Sequence, residues 1–464
     1  MRLKTMVTAL LGTAALGALM AGAPVRAAEI DDLKKAIDAL QKKVGELENK
    51  QKEQAPQNAV TGGSFPGSFK LPGTDTSVKI GGYVKLDAIY DAKASTGDLL
   101  GTTAIPLNGT AASGQDSATR LHARESRVNV TTLTPTGFGE FKTFVEGDFF
   151  GANGNEVFSN SSSFRLRHAY GQLGPVLAGQ TWSNFMDNDS LPETIDFNGP
   201  AGQSFVRQAQ IRYTFTPAAG TTLGIAIENP ETDVTRQGAV TATNPSGVVV
   251  DTGSGGGVGG IGTVALDRLP DLTANLTHRA SWGHVSLRGV LRDLRVDSGV
   301  PGSGNDETLG WGLGFGGSVK TIGKDSILLQ LNYGEGIGRY ILEAGGRAAS
   351  QTTTATSRSL DTQTAFGGIL SYQHFWTDNI RSTAAYGYAS IDNNTASFTT
   401  AGLNTLDKRI QTVHVNAIYS PISRIDLGIE YIYARREVEA ADPASGIGST
   451  GTVSRFQFGA KYKF

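Results

Sequence analysis

The segment TVSRFQFGAKYKF (452–464) alternates strictly: Phe456, Phe458, Ala460, Tyr462 and Phe464 share one face, while Arg455, Gln457, Lys461 and Lys463 share the other. A period of two marks a strand, because successive Cβ atoms point to opposite sides of the pleat. About ten residues with one aromatic and one charged face suit a wall between lipid and water. Such a strand needs partners on both edges, since lipid offers its backbone no hydrogen bonds.

The partners are legible. Period-two segments recur at 77–91, 124–134, 139–150, 163–173, 206–215, 222–229, 271–280, 284–296, 308–320, 326–334, 363–373, 380–390, 408–419 and 425–437, with a shorter one at 176–182. With the last strand they make about sixteen, an even number as in bacterial barrels. After the N-terminus no apolar run approaches the roughly 20 residues of a spanning helix, and the mean hydropathy is only −0.18. A chain that crosses lipid on these terms must close its sheet. The expected fold is all-β, a transmembrane antiparallel β-barrel over 77–464.

Connections alternate in length. Those at 134–137, 174–175, 216–220, 282–283, 322–325, 376–379 and 420–423 are tight, whereas 92–119, 183–204, 230–268 and 336–361 are long. Short turns face the periplasm and long loops the exterior, so both ends of the barrel chain are expected on the periplasmic side.

Residues 1–27 read as a secretory signal, with Arg2 and Lys4 ahead of an apolar core and Val25-Arg26-Ala27 at the cleavage pattern. From 28 to 54, Ile30, Leu33, Ile37, Leu40, Val44 and Leu47 follow a heptad seam. A seam this narrow predicts a coiled-coil oligomerisation helix in the periplasm, and β-branched residues at a with Leu at d favour two strands. Residues 55–76, rich in Gly, Pro and Ser, read as a flexible linker.

The bulk chemistry excludes several functions. A net charge of −2 removes the basic footprint of nucleic-acid binding. There is no cysteine, and the six histidines lack metal spacing, so no metal or cofactor is expected. GLGFGG (312–317) lies within a period-two strand and is no dinucleotide loop, and TIGKDS (321–326) lacks a Walker glycine. No catalytic motif is present, so we expect no enzyme. A barrel enzyme and a structural or adhesive barrel with a filled lumen are the alternatives.

Strand parity sorts the remaining charges. A charge facing lipid at the midplane costs about 2–4 kcal/mol, so the polar stripes line the lumen. This places Arg127, Glu146, Asp148, Arg165, Arg167, Arg212, Arg288, Arg292, Arg381, Glu430 and Arg455 inside. Two readings of the arginines stay open: a solvated wall whose charges pair with one another, or a basic ladder that draws in anionic solutes. The loop 183–204 follows the fifth strand and is the expected constriction. Its acids Asp187, Asp189, Glu193 and Asp196, set opposite the arginines, would form a transverse field.

Several segments carry a resemblance: SVKIGGYVKLDAIYD (77–91), SRVNVTTLTPTGFGEFKTFVEGDFFG (126–151), FRLRHAYGQLGPVLAGQTWSNFMD (164–187) and TIDFNGPAG (194–202). Together they resemble the DcaP-like outer-membrane porins. The terminal strand likewise resembles the one by which outer-membrane barrels are recognised for assembly. The resemblance implies a sixteen-stranded diffusion channel in the bacterial outer membrane. It also implies a homotrimer in place of the two strands the heptad suggests, contact with outer-membrane lipid, and passage of small anions such as dicarboxylates. Arg165, Arg167 and the acids of 187–196 are the positions it implies as pore-lining.

Overall fold

The computed structural model describes residues 34–46, 61–151, 154–155, 159–236, 242–243, 249–250, 265–297, 305–344, 348–353, 358–395 and 400–464. Contacts divide the chain into two units, 1–62 with 70–74, and 63–69 with 75–464. In the first, residues 34–46 form a helix on which Leu40 and Val44 stand exposed. The expected signal and the seam residues Ile30, Leu33 and Leu47 lie outside the described residues.

The second unit is a barrel. Its first strand, β1, is Ser77–Lys93. The second, β2, runs in two pieces, Ala118–His122 and Arg127–Thr136. Next come β3 (Gly139–Asp148), β4 (Arg165–Leu173), β5 (Val176–Trp182), β6 (Arg207–Ala218), β7 (Thr221–Glu228) and β8 (Asp271–Ala280). The circuit continues through β9 (Gly283–Asp297), β10 (Asn305–Lys320), β11 (Ser326–Glu335) and β12 (Thr364–Phe375). It ends with β13 (Ile380–Asp392), β14 (Asp407–Ile422), β15 (Ile425–Val438) and β16 (Thr450–Lys463). Each strand pairs antiparallel with the next, and β16 closes on β1 with Leu86 opposite Ala460 and Asp91 opposite Arg455. The expected barrel of sixteen strands is thus the observed fold, with boundaries displaced by a few residues at most.

Burial runs inside out, as lipid requires. On β9, Leu287 and Leu291 are exposed, while His284, Ser286, Arg288 and Arg292 between and beside them are buried. The inward charges are hydrogen-bonded in turn: Arg455 grips Asp91 at 2.6 and 3.0 Å, and Arg292 reaches Asp271 and Asp233 at 3.1 Å each.

The lumen is not an empty tube. Ile337, Tyr340 and Ile341, from the connection after β11, pack with Phe185 and Ala201 of the 183–206 connection against Val290, Ala365, Ala389 and Ile410 of the wall. Leu100 and Ile105 of the first long loop pack on Ile432, Ala434 and Val453. Inward segments therefore fill the half of the lumen bounded by the later strands.

Candidate pore constriction

The connection from β5 to β6 lies along the inner wall and is tied to it at each step. Glu228 of β7 accepts from Ser183 Oγ and Asn184 N, both at 2.7 Å. Gln330 of β11 donates to the Asp187 carbonyl at 3.2 Å and to Ser190 Oγ at 3.0 Å. Asn416 of β14 donates to the Glu193 carbonyl at 2.8 Å, and Glu430 of β15 accepts from Ile195 N at 2.7 Å. Thr412 Oγ1 then accepts from Ala201 N at 3.1 Å.

Such close contact needs an indented wall, and glycines provide it. In GLGFGG, Leu313 and Phe315 face outward, while Gly312, Gly314 and Gly316 leave room for Ile337, Arg288 and Asp187. A Cβ on Gly387 of β13 would meet the Ala201 carbonyl at 2.5 Å and Pro200 Cβ at 2.7 Å. Gly428 and Gly459 in the same way seat Ile195. Parity singled out charges, and a side chain of no size escaped it.

The loop acids are spent on the wall. His284 Nε2 lies 2.9 and 3.0 Å from the two Asp187 oxygens, with both residues buried. Burial alone would raise the Asp187 carboxyl, but the hydrogen bond and charge of His284, with Arg288 beyond, outweigh it and hold it below its ordinary value. Asp189 pairs with Arg279 at 2.7 Å where both are half exposed. Glu193 takes a two-pronged bond from Arg381 at 2.6 Å on each arm. Asp196 has no ion-pair partner among the described residues. Its carboxylate accepts from Asn198 N and Gly199 N at 3.0 and 2.9 Å, and burial pushes it above the usual range despite His414 nearby. Two of the four acids, Asp189 and Glu193, thus meet arginines at contact, and a carboxylate paired in this way leaves only a dipole at longer range.

Across the lumen the arginines form a row. Arg127, Asp148 and Arg165 are opposite one another in register over β2, β3 and β4. Arg165 holds Asp148 at 2.9 and 2.8 Å, and Arg167 bridges Glu146 at 2.8 Å and Asp148 at 3.0 Å. Arg127 Nη1 stands 4.0 Å from Glu146. A bulge at Arg167 interrupts the alternation and leaves both Arg167 and His168 buried. Three guanidiniums thus share two carboxylates, and the row retains positive charge.

Aromatic rings cover the row. The Phe197 ring of the loop lies 5.5 Å from the Arg127 guanidinium carbon and 5.4 Å from those of Arg165 and Arg167. Phe150 packs beside it at 4.9 Å between centroids. Arg207 stacks on Trp182 at 4.4 Å and makes no ion pair among the described residues. Sequence reading missed Arg207, Trp182 and Phe205: the luminal parity of β6 runs through Gln210 and Arg212, and these three sit at or beyond strand ends, where alternation stops informing. Arg212 is half-buried five residues below Arg207, about 16 Å along the strand, and does not join the row.

Known proteins resemble this chain in sequence and in fold. The chain is 28% identical to the porin Omp2b of Brucella suis over 230 residues, which cover 48% of this chain and 54% of that one. It is 30% identical to the porin Omp2b of Brucella abortus over 233 residues, covering 48% and 53%. The chain thus spans about half the length of the curated relatives it matches. The crystal structure of the outer membrane channel DcaP of Acinetobacter baumannii superposes with a TM-score of 0.67 at 24% identity, covering 84% of this chain and 97% of that one, which shows a common fold. The DcaP outer membrane protein family matches residues 28–243 and 234–464. With that match over a closed barrel of sixteen strands, the chain belongs to the DcaP outer membrane protein family.

Proposed function

We propose that the protein is a porin whose open path favours small anions, dicarboxylates among them. The observation that carries this reading is the asymmetry of the lumen. One side is filled by inward loops whose acids, Asp196 apart, meet basic side chains of the wall, and the other carries Arg127, Arg165, Arg207 and the buried Arg167 with fewer carboxylates than guanidiniums. Part-exposed Arg120 and Arg124, both near Asp98, carry positive charge from the row toward the long-loop end. A carboxylate entering there exchanges water for guanidinium donors in a fork that fits its two oxygens. Two such groups along the row suit a solute with two carboxylates.

The seam residues Leu40 and Val44, exposed on the helix, support a homo-oligomer in which copies of this helix pair. A trimer is the stoichiometry implied by the family resemblance.

Planar-bilayer recording tests the reading. In a KCl gradient the reversal potential of the wild type should report anion preference, and Arg165→Ala with Arg167→Ala should move it toward cations, since Asp148 and Glu146 remain. The shift should shrink between 0.1 M and 1 M salt as the screening length falls from about 10 Å to about 3 Å. An identical reversal potential in both proteins would show that the row does not select.

A further inference from the structure

We propose that Phe197 sets how long an anion stays at the arginine row, by acting as a fixed competitor for the guanidinium faces. The inference rests on reading that row as the anion path. Among the described residues, Phe197 alone has a ring within 5.5 Å of three of the guanidinium carbons, those of Arg127, Arg165 and Arg167. It is also held there by strands that follow the row around the closure of the barrel, β1 and β15. Glu430 of β15 accepts from Ile195 N and from Asp196 N at 2.7 and 3.4 Å, and Lys85 of β1 donates to the Ile195 carbonyl at 2.7 Å. The Asp196 carboxylate closes the turn on Asn198 N and Gly199 N, and Gly199 takes a φ of +70°, which only glycine adopts without strain. Asn198 Nδ2 ties the far side of the turn to the Leu100 carbonyl at 3.1 Å. The ring is thus the tip of a braced turn set against the arginines.

An aromatic ring at this point has a particular electrostatic use. Its negative π-face attracts guanidiniums that would otherwise repel each other, yet adds no charge to cancel theirs. The attraction is weaker than a hydrogen bond between two charged groups. An arriving carboxylate therefore wins the N–H donors that Asp148 and Glu146 leave free, while the ring stays against the guanidiniums and keeps the site shallow. A conducting site must be deep enough to fill and shallow enough to empty. Phe197 adjusts that depth without altering the net charge.

The test compares Phe197→Leu and Phe197→Tyr with the wild type in planar bilayers. The measurements are reversal potential in a KCl gradient, chloride conductance against concentration, and the succinate concentration that halves the current. Leucine fills similar space without a π-face. We expect anion preference to persist, succinate to block at about three- to tenfold lower concentration, and chloride conductance to saturate at lower salt. Tyrosine should behave as wild type. If Phe197→Leu leaves succinate block and saturation unchanged, or scales potassium and chloride currents alike, the ring is a spacer and the proposal falls. A loss of anion preference in Phe197→Leu would also overturn it, because the ring would then be assembling the row. Failure of the underlying path shows separately: the wild type itself would lack anion preference.

Discussion

Asp187 and Asp189 are two residues apart and each meets a basic side chain of the wall, yet their weight differs. Asp187 and His284 are each about 4% exposed, whereas Asp189 and Arg279 are about half exposed. Removing one partner of a buried pair costs about 3–5 kcal/mol, and an exposed pair contributes about 0–1 kcal/mol. Asp187→Asn should therefore clearly lower the thermal unfolding midpoint in detergent, followed by circular dichroism, and Asp189→Asn should scarcely move it. The pH dependence has a definite sign. A carboxyl held below its ordinary value stabilises the fold at all pH above about 4, and this contribution disappears as pH falls through the depressed value. The wild type should thus hold its loop at pH 5 and lose this anchor only under stronger acid, while Asp187→Asn should lack that part of the acid transition.

At the scale of elements, the strands were legible and the bed of the constriction loop was not. Each strand declares itself because lipid on one side and water on the other force strict alternation, as Leu287, Arg288, Leu291 and Arg292 show on β9. The loop 183–204 was legible as an amphipathic insertion but not in its contacts, since its partners Gln330, Asn416 and Glu430 are polar residues of ordinary luminal parity. Nothing local distinguishes them from a wetted wall. Acids and arginines were both identified, and the pairing of the acids was not, because His284 and Arg381 come from strands about 100 and 190 residues further on. The glycine bed provides the check on this account. Gly387→Val should push the loop from β13, at the roughly 1–3 kcal/mol typical of overpacking, and alter single-channel conductance. Gly368→Val, on the outward parity of neighbouring β12, should leave conductance as in wild type.

For the whole molecule, the association proposed for the helix 34–46 can be tested apart from the barrel. Deleting 29–54 should lower the temperature at which an oligomer dissociates on a semi-native gel, while leaving single-channel conductance intact. Were the seam to serve only its own chain, dissociation would be unaffected and cysteines placed at Leu40 would crosslink within one subunit only.

The bonds that fix the constriction loop join residues far apart in the chain: Ala201 to Thr412 over 211 positions, Asn416 to Glu193 over 223, and Ile195 to Glu430 over 235. Closing such long intervals is slow, because chain entropy is lost before any contact repays it. The arm bearing Phe197 can meet Lys85 and Leu100 early, but its bonds to Thr412, Asn416 and Glu430 form only once β14 and β15 have joined the wall. A barrel halted at an earlier strand would carry the arm only partly moored, with Glu193 and Ile195 still waiting for Arg381 and Glu430. Completion of the sheet and seating of the loop that narrows its bore are therefore coupled through these bonds.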